Sequence, residues 1–223
     1  LIAAIVLVLY ILNTTYPSGE PSLYIGEDGG VLINNLASWK KVHVLDWTIA
    51  GILGFLLITN IFNMWRKVIL KNDSLKIPFK LYFREFISLV THFTTQKNLR
   101  KCGNEKNYWL IHLYLMWSYT ALFVMIVFFL EWFQTDTVHD FWHPQRLIGY
   151  IATVGLFVGI IYFTANRIKK IKENSKYSHY TDWTFLILLF FTTLSGILMH
   201  IFRVSGLPEA TYITYLIHLM ILV

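Results

Sequence analysis

The sequence predicts an all-α fold, a polytopic membrane bundle of about six transmembrane helices with one further amphipathic helix on the cytoplasmic side. Three observations predict it. Hydrophobic residues make up 56% of the 223 residues and charged residues only 14%, whereas a soluble domain carries about a quarter charged residues. Six apolar runs recur along the chain, and the basic residues gather between alternate runs. No internal repeat, low-complexity tract or nucleotide-binding glycine loop interrupts this pattern.

The apolar runs are, in order, Leu1–Leu12, Trp47–Trp65, Trp109–Phe133, Leu147–Phe163, Trp183–Phe202 and Ala210–Val223. The middle four are near the length of about 20 residues that crosses the hydrocarbon of a bilayer as a helix. The outer two are shorter, and the chain has no initiator Met. We therefore expect both end helices to be truncated, and residues 1–223 to be one membrane domain from a longer protein. The first run lacks the basic leader and cleavage site of a signal peptide.

The basic residues predict the orientation. Of the 19 Lys and Arg residues, 15 fall in Arg66–Lys106 and Arg167–Lys176, which share one side of the membrane if six helices alternate. By the positive-inside rule that side is cytoplasmic, as is the N-terminal side of the chain. The net charge of +6 then reflects topology and contact with anionic lipid, and we expect no nucleic-acid partner.

Two connecting segments have distinct patterns. The exoplasmic segment Asn13–Val42 contains PSGEPS and GEDGG, which predict an irregular loop. The cytoplasmic segment Lys67–Asn107 contains IPFKLYFREFISLVTHF, whose apolar residues recur at helical spacing. This pattern predicts an amphipathic helix that lies on the membrane surface, or that packs on a partner subunit.

Small and capping residues mark the later helices. Gly155 and Gly159 in the fourth run allow close approach, either of a neighbouring helix, which is the simpler explanation, or of a flat cofactor. Thr181-Asp182 is a predicted N-cap for the fifth helix. Pro208 is a predicted first-turn residue of the last helix.

Two histidines lie inside apolar runs. His112 follows the start of the third run, and His218 lies in the last run, roughly 15 Å deep at about 1.5 Å per residue. An imidazole in hydrocarbon is costly unless something binds it. Axial ligation of haem iron is the common use of a neutral buried imidazole, so both residues are candidate haem ligands.

Other histidines are candidates on the exoplasmic side. His143 opens the fourth helix in HPQRLIG and is a third candidate iron ligand, with Arg146 one turn later to pair with a haem propionate. His43 precedes the second helix and is placed to reach the same haem. His200, near the end of the fifth helix, is a weaker candidate. The two histidines expected to be only solvated are His139 and His179.

A quinone pocket requires an apolar slot with a proton-exchanging group at the interface. His92, with Arg84 and Arg100 nearby in sequence, is the cytoplasmic candidate. The exoplasmic candidates are His143, His139 and Asp140. The sequence does not choose between these sides, and it assigns no catalytic residue. Cys102 is the only cysteine, so this chain by itself can form neither an intrachain disulfide nor a cluster with four cysteine ligands.

Several motifs together resemble a known family. THFTTQKNLRKCG followed by YWLIHL, then HPQRLIG, TDWTFLILLFFTTLSGILMHIFRVSGLP and YLIHLMILV, resemble in order and spacing the membrane subunit of the quinone-interacting membrane-bound oxidoreductase (Qmo). The resemblance covers about residues 91–223, with a weaker echo around His43. The wider group includes the haem b subunits of heterodisulfide reductase and respiratory nitrate reductase.

The resemblance implies a diheme cytochrome b of a prokaryotic cell membrane. Such a subunit passes electrons between a quinone of the menaquinone type and soluble flavoprotein and iron–sulfur subunits on the cytoplasmic side. It implies a quinone-linked oxidoreductase whose catalysis is shared with those partners, and in Qmo the electrons serve the adenylylsulfate reductase system of sulfur metabolism. His112 and His218 match the family's haem-binding histidines.

The sequence departs from the family pattern at several points. Leu122 stands where the nitrate reductase subunit has a second histidine, and a further family histidine would lie beyond Val223. His200 stands where the family often has an acidic residue, and the N-terminal iron–sulfur domain of Qmo is not in this sequence. Two other functions remain alternatives, which are a transporter with a histidine proton relay and a non-haem membrane anchor that recruits soluble partners.

Overall fold

The structure is a computed structural model that describes residues 24–70, 77–101, 106–170, 177 and 179–222. Leu1–Leu12, the first predicted run, and Cys102 lie outside the described residues. Within these ranges the α-helices are α1 Trp39–Trp65, α2 Phe79–Thr95, α3 Lys97–Lys101, α4 Lys106–Phe133, α5 Pro144–Lys169, α6 Tyr180–Val204 and α7 Pro208–Leu222.

Four of these helices are long and apolar enough to cross a membrane. They are α1 as extended to Val68, α4, α5 and α6. They contain the four complete apolar runs, and this part of the prediction is confirmed. The helices run past the apolar runs at their ends because polar residues can continue a helix once it leaves the hydrocarbon. α7 has 15 residues and is shorter than a span. The described chain is therefore all-helical, with the span pattern of a multi-pass membrane protein.

The chain divides into two compact units. The first comprises Leu1–Val44 and Tyr114–Val223, and the second comprises Leu45–Leu113.

In the first unit, α6 and α7 form a helical hairpin. α6 ends at Val204, and Gly206 takes φ +66°, a left-handed conformation that glycine adopts without steric cost. The amide of Leu207 donates to the carbonyl of Phe202 at 3.1 Å, which closes the turn. Pro208 then starts α7, as predicted. The hairpin lays α7 back along α6, and α5 also packs against α6.

The two glycines of α5 serve helix packing. A Cβ atom on Gly159 would lie 2.9 Å from Cβ of Leu115, and one on Gly155 would collide with the hydroxyl of Ser118. Both neighbours belong to α4. Only glycine allows this approach, so the simpler of the two explanations for these residues holds. Leu115 and Leu156 are buried in the same cluster.

The predicted irregular segment Asn13–Val42 is mostly irregular in its described part, with one 3-10 turn at Ile33–Asn35. Its last four residues are helical, because α1 begins at Trp39, and His43 therefore lies inside α1 rather than before it. The irregular part nevertheless contains fully buried residues. Val31 and Leu36 are fully buried and pack with Tyr212 and Leu216 of α7. Residues 24–38 therefore cover the end of the α6–α7 hairpin and are called the lid below. The turn residues in the sequence did not indicate this burial.

The N-terminus of α6 differs from the prediction. The N-cap is His179 rather than Thr181-Asp182. The His179 ring accepts from the amide of Thr181 at 3.4 Å, and the carboxylate of Asp182 accepts from the amide of His179 at 3.1 Å. Asp182 is thus the third helical residue of a capping box. The side chain of His179 is exposed, as expected, but it also caps a helix.

In the second unit, α2 lies where the amphipathic helix was predicted, with none of its residues buried. Two tryptophans fix its ends. The indole of Trp65 donates to the hydroxyl of Tyr82 at 3.2 Å, and that of Trp109 donates to the carbonyl of Thr95 at 3.0 Å. The ends of α2 are therefore tied to the end of α1 and the first turns of α4.

Arg203 is the buried cation that fastens the lid, with 8% of its surface exposed. Its guanidinium donates to the carbonyls of Val31 at 3.2 Å, Thr135 at 2.5 Å and Asp136 at 2.9 Å. We expect Arg203→Ala to lower the free energy of unfolding by about 3 kcal/mol, because one buried and two partly buried carbonyls lose a charged donor.

Denaturant unfolding of the detergent-solubilised protein measures this loss. Arg84→Ala is the matched control, since Arg84 is exposed and pairs with the equally exposed Glu85 at 3.5 Å, and it should change stability by less than about 0.5 kcal/mol. Equal effects of the two substitutions would contradict the role assigned to Arg203.

Candidate functional site

His218 lies on α7, where the hairpin brings it against α6. Its Nδ1 atom is 2.9 Å from the hydroxyl of Ser195. A Cβ atom on Gly196 would lie 3.2 Å from Cε1 of His218, so the ring rests on the backbone of α6. The sequence pair Ser195-Gly196 thus supplies one polar partner and one close approach for the imidazole.

The hydrogen bonds of Ser195 indicate the tautomer of His218. The hydroxyl has one proton, and its geometry suits donation to the carbonyl of Thr192 at 3.1 Å. With the proton placed there, the oxygen accepts from Nδ1 of His218. In that tautomer the lone pair of the neutral ring is on Nε2, which is the atom a haem iron requires.

His112 lies on α4 in the second unit and has an equivalent arrangement. Its Nδ1 atom is 2.7 Å from Oε1 of Gln96. An amide oxygen only accepts, so Nδ1 donates and the lone pair is again on Nε2. The ring also stacks against Tyr108, with 6.4 Å between the ring centroids. Two histidines on different helices therefore share one tautomer, each set by a neighbouring oxygen.

His43 is held in the opposite sense. Its Nε2 atom donates to the main-chain carbonyl of Val127 at 3.2 Å, because a carbonyl can only accept. The ring lies 6.3 Å from that of Trp39. With its proton on Nε2, the neutral ring has its lone pair on Nδ1. His43 must release Val127 before Nε2 can bind a metal.

His143 is the N-cap residue of α5, with Pro144 at the first helical position as the HP motif indicated. Its ring stacks on that of His139, with 3.9 Å between centroids and 15° between planes, and Trp132 lies 6.4 Å away. Its Nδ1 atom is buried and has no hydrogen-bond partner within the described ranges. The ring is thus fixed by stacking and not by a hydrogen bond at that nitrogen.

His139 was expected to be a solvated surface residue, and the structure places it half-buried in this stack instead. Burial lowers the pKa of His139 below its usual value, and the neighbouring His143, Arg203 and Arg146 lower it further. Burial and the neighbouring cationic groups therefore favour the neutral form of His139.

The hydroxyl of Tyr150, a residue not predicted from the sequence, is hydrogen-bonded to both Arg146 and His200. Arg146 donates to the hydroxyl of Tyr150 from Nε at 3.0 Å and from a terminal nitrogen at 2.6 Å, and also to the carbonyl of His139. The hydroxyl of Tyr150 lies 2.8 Å from Nε2 of His200. Both oxygen lone pairs accept from Arg146, so this hydroxyl donates to His200. The i, i+4 spacing of Arg146 and Tyr150 was the available signal.

The three cytoplasmic quinone candidates make separate contacts. Arg84 pairs with Glu85, and the guanidinium of Arg100 lies 5.1 Å above the ring of Trp109. Nε2 of His92 is 3.5 Å from the amide nitrogen of Asn98, while its Nδ1 atom is buried without a partner among the residues described. Of the three, His92 keeps a buried ring nitrogen available to a ligand.

No three His, Cys, Asp or Glu side chains converge as a metal site in the part of the chain that the structure describes. Axial haem ligation requires only one or two imidazoles, and the neutral, oriented rings of His112 and His218 have the chemistry that it needs. Comparison of the chain with protein-family models, curated proteins and solved structures finds no match.

Proposed function

We propose that the chain is the haem b membrane subunit of a respiratory oxidoreductase, which passes electrons between a membrane quinone of the menaquinone type and soluble flavin and iron–sulfur subunits. The observation that carries the proposal is the shared state of His112 and His218. Each lies in an apolar helix, and the Nδ1 atom of each is within hydrogen-bond distance of a side-chain oxygen, that of Gln96 or Ser195. The motif resemblance to Qmo supports the same function.

The residues around the two imidazoles have defined tasks. When bound, haem b would carry one electron at a time within this membrane-spanning protein. Ser195 and Gln96 hold the tautomer that exposes an Nε2 lone pair, and Gly196 provides room beside the ring of His218. With two haems, His112 of the second unit and His218 of the first unit bind different irons. Both residues correspond to haem-binding histidines of the family.

The topology follows from charge. We place the ends of α1 and α5 and the segments after them on the cytoplasmic side of a prokaryotic cell membrane, with the N-terminal side cytoplasmic, since 15 of the 19 basic residues fall there. The six-helix arrangement remains part of this proposal. α2 lies along that surface, because its ends are tied to Trp65 and Trp109 and its apolar side chains, such as Phe83 and Phe86, are exposed.

The quinone site has two candidate positions. On the cytoplasmic side, His92 offers the buried Nδ1 atom as a hydrogen-bond donor or acceptor for a quinone oxygen. On the exoplasmic side, the stacked His139 and His143 with the exposed Asp140 offer proton-exchanging groups. Both positions meet the requirement for a titratable group beside apolar surface.

One observation favours the rival function of a proton-relay transporter. The chain of hydrogen bonds from Arg146 through Tyr150 to His200 is the kind of array that moves protons. A reduced-minus-oxidised visible spectrum of the purified protein separates the two. We expect a b-type signal with two redox components. A haem-replete preparation without such a signal would reject the electron-transfer function and leave the transporter or the non-haem anchor.

A further inference from the structure

Gln96 has an unusual backbone for its residue type. It lies between α2 and α3 with φ +49° and ψ +36°, the left-handed region that glycine and asparagine adopt more readily. Its amide donates to the carbonyl of His92 at 2.8 Å and so closes the C-terminus of α2. A glycine would make the same cap without a steric cost. A glutamine at this position is therefore explained by a contact of its side chain rather than by its backbone conformation.

That side chain reaches α4. Oε1 of Gln96 accepts from Nδ1 of His112 at 2.7 Å, at the short end of the range for such bonds. The neighbours of Gln96 hold it in place. The carbonyl of Thr95 accepts from the indole of Trp109, and Arg100 of α3 covers the ring of that tryptophan at 5.1 Å. The backbone on both sides of Gln96 is thus held against Trp109, which lies about one helical turn before His112. These contacts keep Oε1 of Gln96 next to the His112 ring.

We propose that Gln96 is the positioning residue for His112. It keeps the proton on Nδ1, sets the rotation of the ring and directs the Nε2 lone pair to the ligand. An amide accepts this proton without adding charge, so the ring stays a neutral imidazole. A carboxylate at the same place would draw the proton more strongly and make Nε2 more electron-rich. The inference rests on the proposed function, in which His112 binds haem iron.

The left-handed backbone supplies a clean test. Gln96→Gly removes the amide side chain and suits the conformation, so α2 keeps its cap and the fold is retained. Gln96→Glu replaces the neutral acceptor by a charged one. Asn98→Gly is the matched control. It also removes a side-chain amide from this segment, but the amide of Asn98 contacts His92 and not His112.

The first measurement does not involve haem. In full-length chain labelled with ¹⁵N-histidine and prepared without haem, the nitrogen shifts of His112, assigned with His112→Ala, report its tautomer. We expect Nδ1–H in the wild type and in Asn98→Gly, and a change of about fivefold in the tautomer ratio towards Nε2–H in Gln96→Gly, the effect of losing one hydrogen bond. An unchanged ratio in Gln96→Gly would overturn the proposal.

The second measurement is the midpoint potential of each haem in the holoprotein. We expect Gln96→Glu to lower one of the two potentials and Gln96→Gly to raise the same one, with Asn98→Gly altering neither. Potentials that do not respond to either substitution would overturn the role at the haem. If the tautomer responds in the haem-free chain but the haem-replete preparation binds no haem, the proposed function is rejected and Gln96 remains the residue that orients His112.

Discussion

Replacing His218 by alanine is expected to abolish one of two haem b components while the other is retained. The imidazole is the group on α7 that presents a lone pair next to Gly196, and the hydrogen bond to Ser195 at 2.9 Å holds it in that state. A methyl group in its place cannot bind iron. A redox titration of the visible spectrum measures the loss directly, as one component that disappears.

His112→Ala should remove the other component, and the double variant should remove both. His179→Ala is the control, since His179 is exposed and caps the N-terminus of α6, so both components should remain. Ser195→Ala separates ligation from packing. It deletes the acceptor of Nδ1 but not the ligand, and should shift one potential without loss of haem. If His218→Ala keeps both haems at unchanged potentials, His218 is not a ligand.

The sequence predicted the elements that depend on local chemistry. Apolar runs located the four spans because the length of a membrane helix is set by the bilayer. Pro144 and Pro208 marked helix starts because proline suits the first turn. Gly155 and Gly159 indicated close packing, and their partner proved to be α4, through Leu115 and Ser118.

What the sequence could not show depends on contacts between distant segments. The lid is buried because Val31 and Leu36 meet α7, about 180 residues later in the chain. Turn-rich composition indicates irregular backbone but not burial. The partners of the candidate ligands, Gln96 for His112 and Ser195 for His218, lie 16 and 23 residues away on other elements. Glutamine and serine have too many ordinary roles for such pairings to be read from spacing alone.

Two histidines of the first unit, His143 and His43, are candidates for the second ligand of the iron beside His218, and mutagenesis can distinguish them. Leu122 occupies the position that supplies this ligand in the nitrate reductase subunit, so another histidine is required for bis-histidine ligation. His143 is our first choice and His43 our second. His43 donates from Nε2 to Val127 and must lose that bond to bind. His143 has a buried Nδ1 without a partner in the described residues, and its ring is held by the stack with His139.

We therefore expect His143→Ala to convert the His218 haem from a six-coordinate, low-spin form to a five-coordinate, high-spin form, or to release it, while His43→Ala leaves it low-spin. Electron paramagnetic resonance of the oxidised protein distinguishes these states. An experimental structure with haem bound should show an iron–nitrogen bond of about 2 Å to His143. Iron ligated by neither His143 nor His43 would contradict the assignment. The role would then pass to His200, whose Nε2 would first have to leave Tyr150, or to a residue outside this chain.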